Sequence, residues 1–112
     1  MDRILEKSLL YDFYGELLSE RRRKIYEASL FEDLSLSEIA ESEGVSRQAV
    51  HDTLRHCEKA LGEYESKLHL VEKFLKIKDE VKEIESLVSS DDEADKRLVR
   101  IGNIAENILG EL

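Results

Sequence analysis

The sequence predicts an all-α protein, in which a helix-turn-helix domain is followed by a C-terminal helical hairpin. The 112 residues contain no proline and only five glycines, and apolar residues recur at helical spacing. The segment 35–61 reads as a short helix, a glycine-containing turn and a longer helix, which is the order of a helix-turn-helix. We therefore assign the helix-turn-helix domain to residues 1–66 and an acidic, heptad-like helical extension to residues 67–112.

Local capping signals define the predicted motif. Ser35 followed by Glu38 is a capping box, in which the hydroxyl accepts from a helix amide and the carboxylate reaches back to the cap. Gly44 supplies the left-handed backbone that ends the first helix. Ser46 is the cap of the second helix, which is predicted to begin at Arg47. The apolar face of this second helix consists of Val50, Leu54, Cys57 and Leu61.

Two further helices precede the motif. The first is predicted at residues 3–18 and the second at about 20–31, with Ser19 as its cap. The predicted inner face of the first consists of Leu5, Leu9, Leu10, Phe13, Leu17 and Leu18. The first turn of the second carries four cations, Arg21, Arg22, Arg23 and Lys24. Since cations are unfavourable at a helix N-terminus, they either serve an external anion such as a phosphate or form a solvated polar face.

The C-terminal extension shows two apolar seams at heptad spacing. The first seam consists of Leu70, Phe74, Ile77, Val81, Ile84 and Val88, and the second of Ala94, Leu98, Ile101, Ala105, Ile108 and Leu112. A short polar break at residues 89–92 separates them, which predicts an antiparallel hairpin. Two alternatives remain open: each seam packs onto the N-terminal helices, or a seam pairs with a second copy of the chain to form a homodimer.

Charge and composition limit the classes of function. The net charge of −9 argues against a protein that coats nucleic acid indiscriminately. No apolar run approaches the roughly 20 residues that span a bilayer, and the N-terminus lacks the pattern of a signal peptide. Cys57 is the only cysteine, so an intrachain disulfide is excluded. A cytoplasmic location without a membrane partner is the simplest interpretation.

The second helix of the motif carries the candidate binding residues. Opposite its apolar face lie Arg47, Gln48, His51, Asp52 and Arg55. Arginine can bond the acceptor pair of guanine, and glutamine can pair with adenine. Ser46 and the amides at the start of this helix are expected to hold a phosphate. Asp52 is a poor neighbour for a phosphate backbone, and the alternative for the whole set is an ordinary polar helix face.

The sequence contains no pattern typical of catalysis. It has no phosphate loop, nucleophile elbow or metal-ligand cluster. His56 stands next to Cys57, but adjacent helical side chains diverge and no second pair completes a zinc site. We therefore expect neither an enzyme nor a cofactor.

Three separated segments resemble the bacterial YlxM family of small helix-turn-helix proteins. They are DFYGELL at 12–18, LSLSEIAESEGVSRQAVHDTL at 34–54 and EYESKLHLVEKF at 63–74. The motif is also similar to region four of bacterial sigma factors, which reads the promoter −35 element through the corresponding helix. That resemblance implies Arg47, Gln48, His51 and Asp52 as groove residues, although the sigma pattern usually has Arg and Gln at the last two positions.

YlxM proteins are usually encoded beside the GTPase of the signal recognition particle or its receptor, so the resemblance implies a role in that pathway. The first hypothesis is a non-enzymatic regulator whose helix-turn-helix contacts DNA or the particle's RNA. The second is a protein-interaction module that binds the particle's GTPase or self-associates through its C-terminal helices. The acidic balance and Asp52 favour the second hypothesis.

Overall fold

The computed structural model describes residues 3–89 and 93–112, and all regular elements within them are helical. This confirms the all-α fold class. The described helices are α1 (Arg3–Tyr14), α2 (Glu20–Leu30), α3 (Leu36–Glu43), α4 (Arg47–Leu68), α5 (Leu70–Val88) and α6 (Ala94–Glu111), with a one-turn 3-10 helix at Gly15–Leu17 after α1. The chain divides into two compact units, Met1–His69 and Leu70–Leu112.

The helix caps of the first unit are those that the sequence predicts. Ser35 Oγ accepts from the Glu38 amide at 3.1 Å, and Glu38 Oε1 accepts from the Ser35 amide at 3.0 Å, so the capping box is complete. Gly44 ends α3 with a φ of 69°. Ser19 and Ser46 cap α2 and α4 through their hydroxyls. The three serines mark the starts of α2, α3 and α4, and Gly44 marks the end of α3.

The core of the first unit joins α2, α3 and α4. Ile25, Ile39, Ala40 and Val50 form its buried cluster. Further along α4, Cys57 and Leu61 are completely buried. Cys57 therefore occupies the small core position that the sequence predicts, and burial raises the pKa of its thiol. The core thus packs α2 against the two helices of the helix-turn-helix, and α4 contributes buried residues as far along as Leu61.

The first helix differs from the prediction in its length and in its buried face. It ends at Tyr14. The next residue, Gly15, lies against the Tyr11 ring, and a Cβ at this position would stand 2.8 Å from Tyr11 Cε2. Tyr14 and Leu18 are buried, and the Tyr14 hydroxyl donates to Glu65 Oε1 of α4 at 2.6 Å. Buried tyrosines need such a partner for the hydroxyl. The prediction was wrong for three members of the proposed inner face that are exposed instead: Leu5, Phe13 and Leu17.

The second unit is the predicted antiparallel hairpin. Lys76 of α5 pairs with Glu111 of α6, and Glu83 pairs with Arg100. Near the loop, Arg97 Nη1 donates to the Val88 carbonyl at 3.5 Å. Residue numbers rise along one helix as they fall along the other, which is the signature of antiparallel packing.

The packed faces of the hairpin are shifted from the predicted seams. On α5, Ile77 and Ile84 are partly buried, whereas Val81 and Val88 are exposed. On α6, the most buried residue is Ile104, which the predicted seam omits. The exposed seam members of α6 are Ala94, Leu98, Ala105 and Leu112. Each predicted seam therefore belongs to a wider apolar stripe, and the two-helix hairpin covers one edge of that stripe and leaves the other edge exposed. The covered seam members are Ile77, Ile84, Ile101 and Ile108. Of the predicted break, residues 90–92 lie outside the described residues.

Candidate nucleic-acid interface

The first turn of α4 is fixed by a cap on one side and by the core on the other. Ser46 Oγ accepts from the Ala49 amide at 3.0 Å, and the Val50 amide donates to the Ser46 carbonyl at 3.2 Å. The Val50 side chain is completely buried. Because the apolar side of this turn is held in place, the opposite side is presented to solvent in one orientation.

The structure brings the predicted residues of α4 together on this exposed face. Ser46, Arg47, Gln48, His51, Asp52 and Arg55 are all exposed. Arg47 and Arg55 make no ion pair or hydrogen bond with any residue that the structure describes, so their guanidinium donors can bond a ligand. These two arginines are eight positions apart, which corresponds to about 12 Å along the helix axis.

Asp52 interacts with two of the candidate base-reading residues. Gln48 Nε2 donates to Asp52 Oδ1 at 2.8 Å. His51 Nδ1 lies 3.6 Å from the same oxygen, as an ion pair that exists only when the imidazole is protonated. Asp52 therefore orients the Gln48 amide with its carbonyl oxygen free. It also places a negative charge on the face that would meet a phosphate backbone.

The basic quartet of α2 does not act as one cluster. Arg21 and Arg22 are exposed, and Arg23 is partly buried. Lys24 Nζ lies 3.4 Å from Glu43 Oε1, at the C-terminal end of α3. No sequence pattern indicates this pairing, because the two residues lie on different helices and only packing brings them together. The pair ties α2 to the motif and partly neutralises one of the four cations.

A second polar contact lies beside the quartet, between α1 and α2. The Tyr11 hydroxyl donates to the Glu27 carboxylate, and the Tyr11 ring stacks on Tyr26 with centroids 5.7 Å apart. Burial, and then the Glu27 carboxylate, raise the pKa of Tyr11 to about 12. Burial also raises the pKa of Tyr26 to about 12. Both tyrosines are therefore neutral at physiological pH and pack as uncharged aromatic residues.

Metal-binding clusters and membrane-spanning helices are absent from the part of the chain that the structure describes. No group of three or more His, Cys, Asp or Glu side chains there is arranged to hold a metal ion. No helix there is long and apolar enough to cross a membrane.

The family model of the YlxM- and p13-like helix-turn-helix proteins, UPF0122, matches residues 1–101. This chain belongs to the UPF0122 family. The family predicted from the three sequence segments is thereby confirmed, and the match to UPF0122 spans the whole helix-turn-helix and extends into α6.

Individual relatives agree with the family match. A UPF0122 protein of Symbiobacterium thermophilum is 49% identical over 79 residues, which are 68% of this chain and 74% of the relative. One of Shouchella clausii is 43% identical over 91 residues, or 81% of this chain and 84% of the relative. One of Desulforamulus reducens is 57% identical over 67 residues, or 60% of this chain and 57% of the relative.

Proposed function

We propose that this UPF0122 protein is a regulator that contacts nucleic acid through the exposed face of α4. The observation that supports this most is the pair Arg47 and Arg55, which are exposed and make no ion pair within the described residues. A helix-turn-helix uses its second helix to enter the major groove, which is about 12 Å wide. Arg47 is the first residue of α4, and the N-terminal residues of a recognition helix are the ones that contact base edges.

Each residue of the α4 face has a proposed role. Arg47 bonds a guanine edge or a phosphate in the groove, and Gln48 reads a neighbouring base through the carbonyl that its bond to Asp52 leaves free. His51 and Arg55 contact the bases or backbone that follow. Ser46 and the amides of the first turn hold a phosphate, because the Ser46 hydroxyl still has a proton to donate.

The quartet of α2 supplies additional phosphate contacts in this proposal. Arg21 and Arg22 are exposed, and the Lys24 side chain remains 72% exposed beside Glu43. Arg23 contributes mainly through its charge, since it is partly buried. Contacts of this kind position a protein on a duplex without reading its sequence.

The proposed pathway is that of the signal recognition particle, and the target is DNA or the particle's RNA. The resemblance to YlxM proteins, which are usually encoded beside the particle's GTPase or its receptor, supports this assignment. The two targets make different demands on α4. A DNA major groove admits a helix, whereas an RNA duplex has a major groove too narrow to be read, so an RNA target would offer loops and phosphates.

The test is a salt titration of binding with matched arginine variants. Arg47→Ala is expected to weaken binding and to reduce the log–log salt slope by about 0.9 for each phosphate that the variant no longer neutralises. Arg3→Ala, which removes an exposed arginine of α1, is the control and is expected to leave the slope unchanged. Equal affinity and slope for the wild type and Arg47→Ala would count against the proposed interface.

A second candidate function is a protein-interaction module that binds the particle's GTPase. The exposed Asp52 in the centre of the α4 face, together with the net charge of −9, favours a basic protein surface as the partner. This candidate predicts that Asp52→Lys abolishes association with the purified GTPase while Arg47→Ala has little effect. Loss of association only in Arg47→Ala would exclude it.

A further inference from the structure

The hairpin of α5 and α6 leaves a second apolar stripe uncovered on each helix. On α5, Val81 and Val88 are 42% and 63% exposed, beside the partly buried Ile77 and Ile84. On α6 the exposed members are Leu98, Ala105, Leu109 and Leu112. They stand beside residues that pack within the hairpin, Ile101, Ile104 and Ile108.

Both uncovered stripes lie on the same side of the hairpin. At 100° per residue, Val81 and Val88 lie about 40° from the mean direction of Ile77 and Ile84, the partly buried isoleucines of α5. The exposed stripe of α6 lies about 80° from its packed residues, in the same rotational sense. Because the two helices are antiparallel, the same rotational sense leads to the same side. The hairpin therefore presents one continuous apolar face.

The size of this face is sufficient for a specific interface. Helices of 19 and 18 residues are about 28 Å long, and two side by side are about 20 Å wide, giving roughly 550 Å² for each chain. Two such faces bury about 1,100 Å², near the lower limit for stable protein–protein interfaces. The largest apolar patch on a typical monomeric protein is about 300–600 Å² and is often a functional surface.

We propose that this face binds a second copy of the chain, so that two hairpins form a four-helix bundle. The two-fold axis runs parallel to the helices, and α5 of each chain lies antiparallel to α6 of the other. The proposal does not depend on whether α4 binds nucleic acid.

The contacts within one hairpin set the register of the pairing. Within a chain, Glu83 lies opposite Arg100 and Val88 opposite Arg97. The same register between chains places Val88 opposite Leu98 of the partner subunit and Val81 opposite Ala105 of the partner subunit. At the outer edge of the face, Lys78 comes opposite Glu106 of the partner subunit. Apolar residues thus meet apolar residues, and the flanking charges are opposite in sign.

Two neighbouring residues of α6 provide a matched pair of variants. Leu98 and Val99 are 67% and 65% exposed, but only Leu98 lies on the proposed face, since consecutive residues of a helix diverge by about 100°. Sedimentation equilibrium of the full chain is expected to give about 26 kDa for the wild type, twice the 13.0 kDa of one chain. Leu98→Glu is expected to be a monomer and Val99→Glu a dimer, both with unchanged helical circular dichroism.

A charge exchange tests the register. Lys78→Glu is expected to raise the dimer dissociation constant about tenfold at low salt, and the double variant Lys78→Glu with Glu106→Lys is expected to restore it. A wild-type protein that remains monomeric at about 0.1 mM would overturn the proposal. A dimer that withstands Leu98→Glu, or that Leu98→Glu and Val99→Glu weaken equally, would overturn it as well.

Discussion

Gln48 and Asp52, one turn apart on α4, are joined by a 2.8 Å hydrogen bond from Nε2 to Oδ1. The bond fixes the amide of a candidate base-reading residue before any ligand is present. It does so with a carboxylate, which repels phosphate. The proposed interface therefore combines a preoriented side chain with an unfavourable charge.

Replacing that charge is expected to strengthen nucleic-acid binding. Asp52→Asn keeps an oxygen that can accept from Gln48 but removes the negative charge. Repulsion between this charge and a bound phosphate weakens binding by about 0.5–1 kcal/mol. Affinity measured by fluorescence anisotropy should rise about two- to fivefold, and the gain should shrink at high salt.

Glu63→Gln is the control for this experiment, because Glu63 is an exposed carboxylate of α4 and lies more than a Debye length of about 10 Å from Asp52 along the helix. It is expected to leave affinity unchanged. An Asp52→Asn variant that binds no better than Glu63→Gln would show that the α4 face does not meet phosphates.

Replacement by alanine is expected to change the free energy of unfolding in opposite directions at two glycines of the first unit. Gly44 has a φ of 69°, so Gly44→Ala should lower the free energy of unfolding by about 1–2 kcal/mol. Gly62 lies inside α4, where an added Cβ meets no atom within 4 Å, so Gly62→Ala should raise it by about 0.5–1 kcal/mol. Urea denaturation of both variants measures this. Changes of the same sign would contradict the left-handed turn or the continuous α4.

The capping box makes a pH-dependent contribution to stability. Hydrogen bonds from the backbone and the hydroxyl of Ser35 lower the pKa of Glu38 from its ordinary value of 4.5. A pKa that is lower in the folded state stabilises the protein above the unfolded pKa, and this stabilisation is lost as the pH falls through the folded value. Wild type should therefore be more stable than Glu38→Gln at pH 7, and the difference should decrease below about pH 4.5. A difference independent of pH would rule out the ionised carboxylate as the capping group.

The thiol of Cys57 is expected to be unreactive in the folded protein. It is completely buried, and burial raises its pKa, so the nucleophilic thiolate is scarce. Modification by an aromatic disulfide reagent at pH 8 should be at least about a hundredfold slower than in urea, because it must await opening of the structure. Similar rates in the two conditions would place Cys57 outside the core.

Local chemistry explains which parts of the fold the sequence predicts. Ser19, Ser35, Gly44 and Ser46 act through atoms within a few residues of themselves, so their roles can be read without knowledge of the packing. The buried Tyr14, in contrast, bonds through its hydroxyl to Glu65, which is 51 residues away on another helix. The predicted leucine face of α1 missed this tyrosine for that reason.

In the candidate site too, contacts within one helix can be predicted from the sequence, whereas contacts between helices cannot. The residues of α4 share a face because of helical spacing, and the structure finds all of them exposed. The bond between Gln48 and Asp52 has i to i+4 spacing, so the sequence alone could have predicted it. The pairing of Lys24 with Glu43 could not be predicted in this way, since it joins two helices whose approach depends on the core.

The most direct test of the proposed function is in-vitro selection of random duplex DNA on the purified protein at moderate salt, in parallel with Arg47→Ala. We expect the wild type to enrich a defined site and the variant to lose that enrichment, because the proposed function assigns groove reading to the α4 face. Absence of enrichment by the wild type, or an identical site selected by Arg47→Ala, would contradict DNA reading through α4.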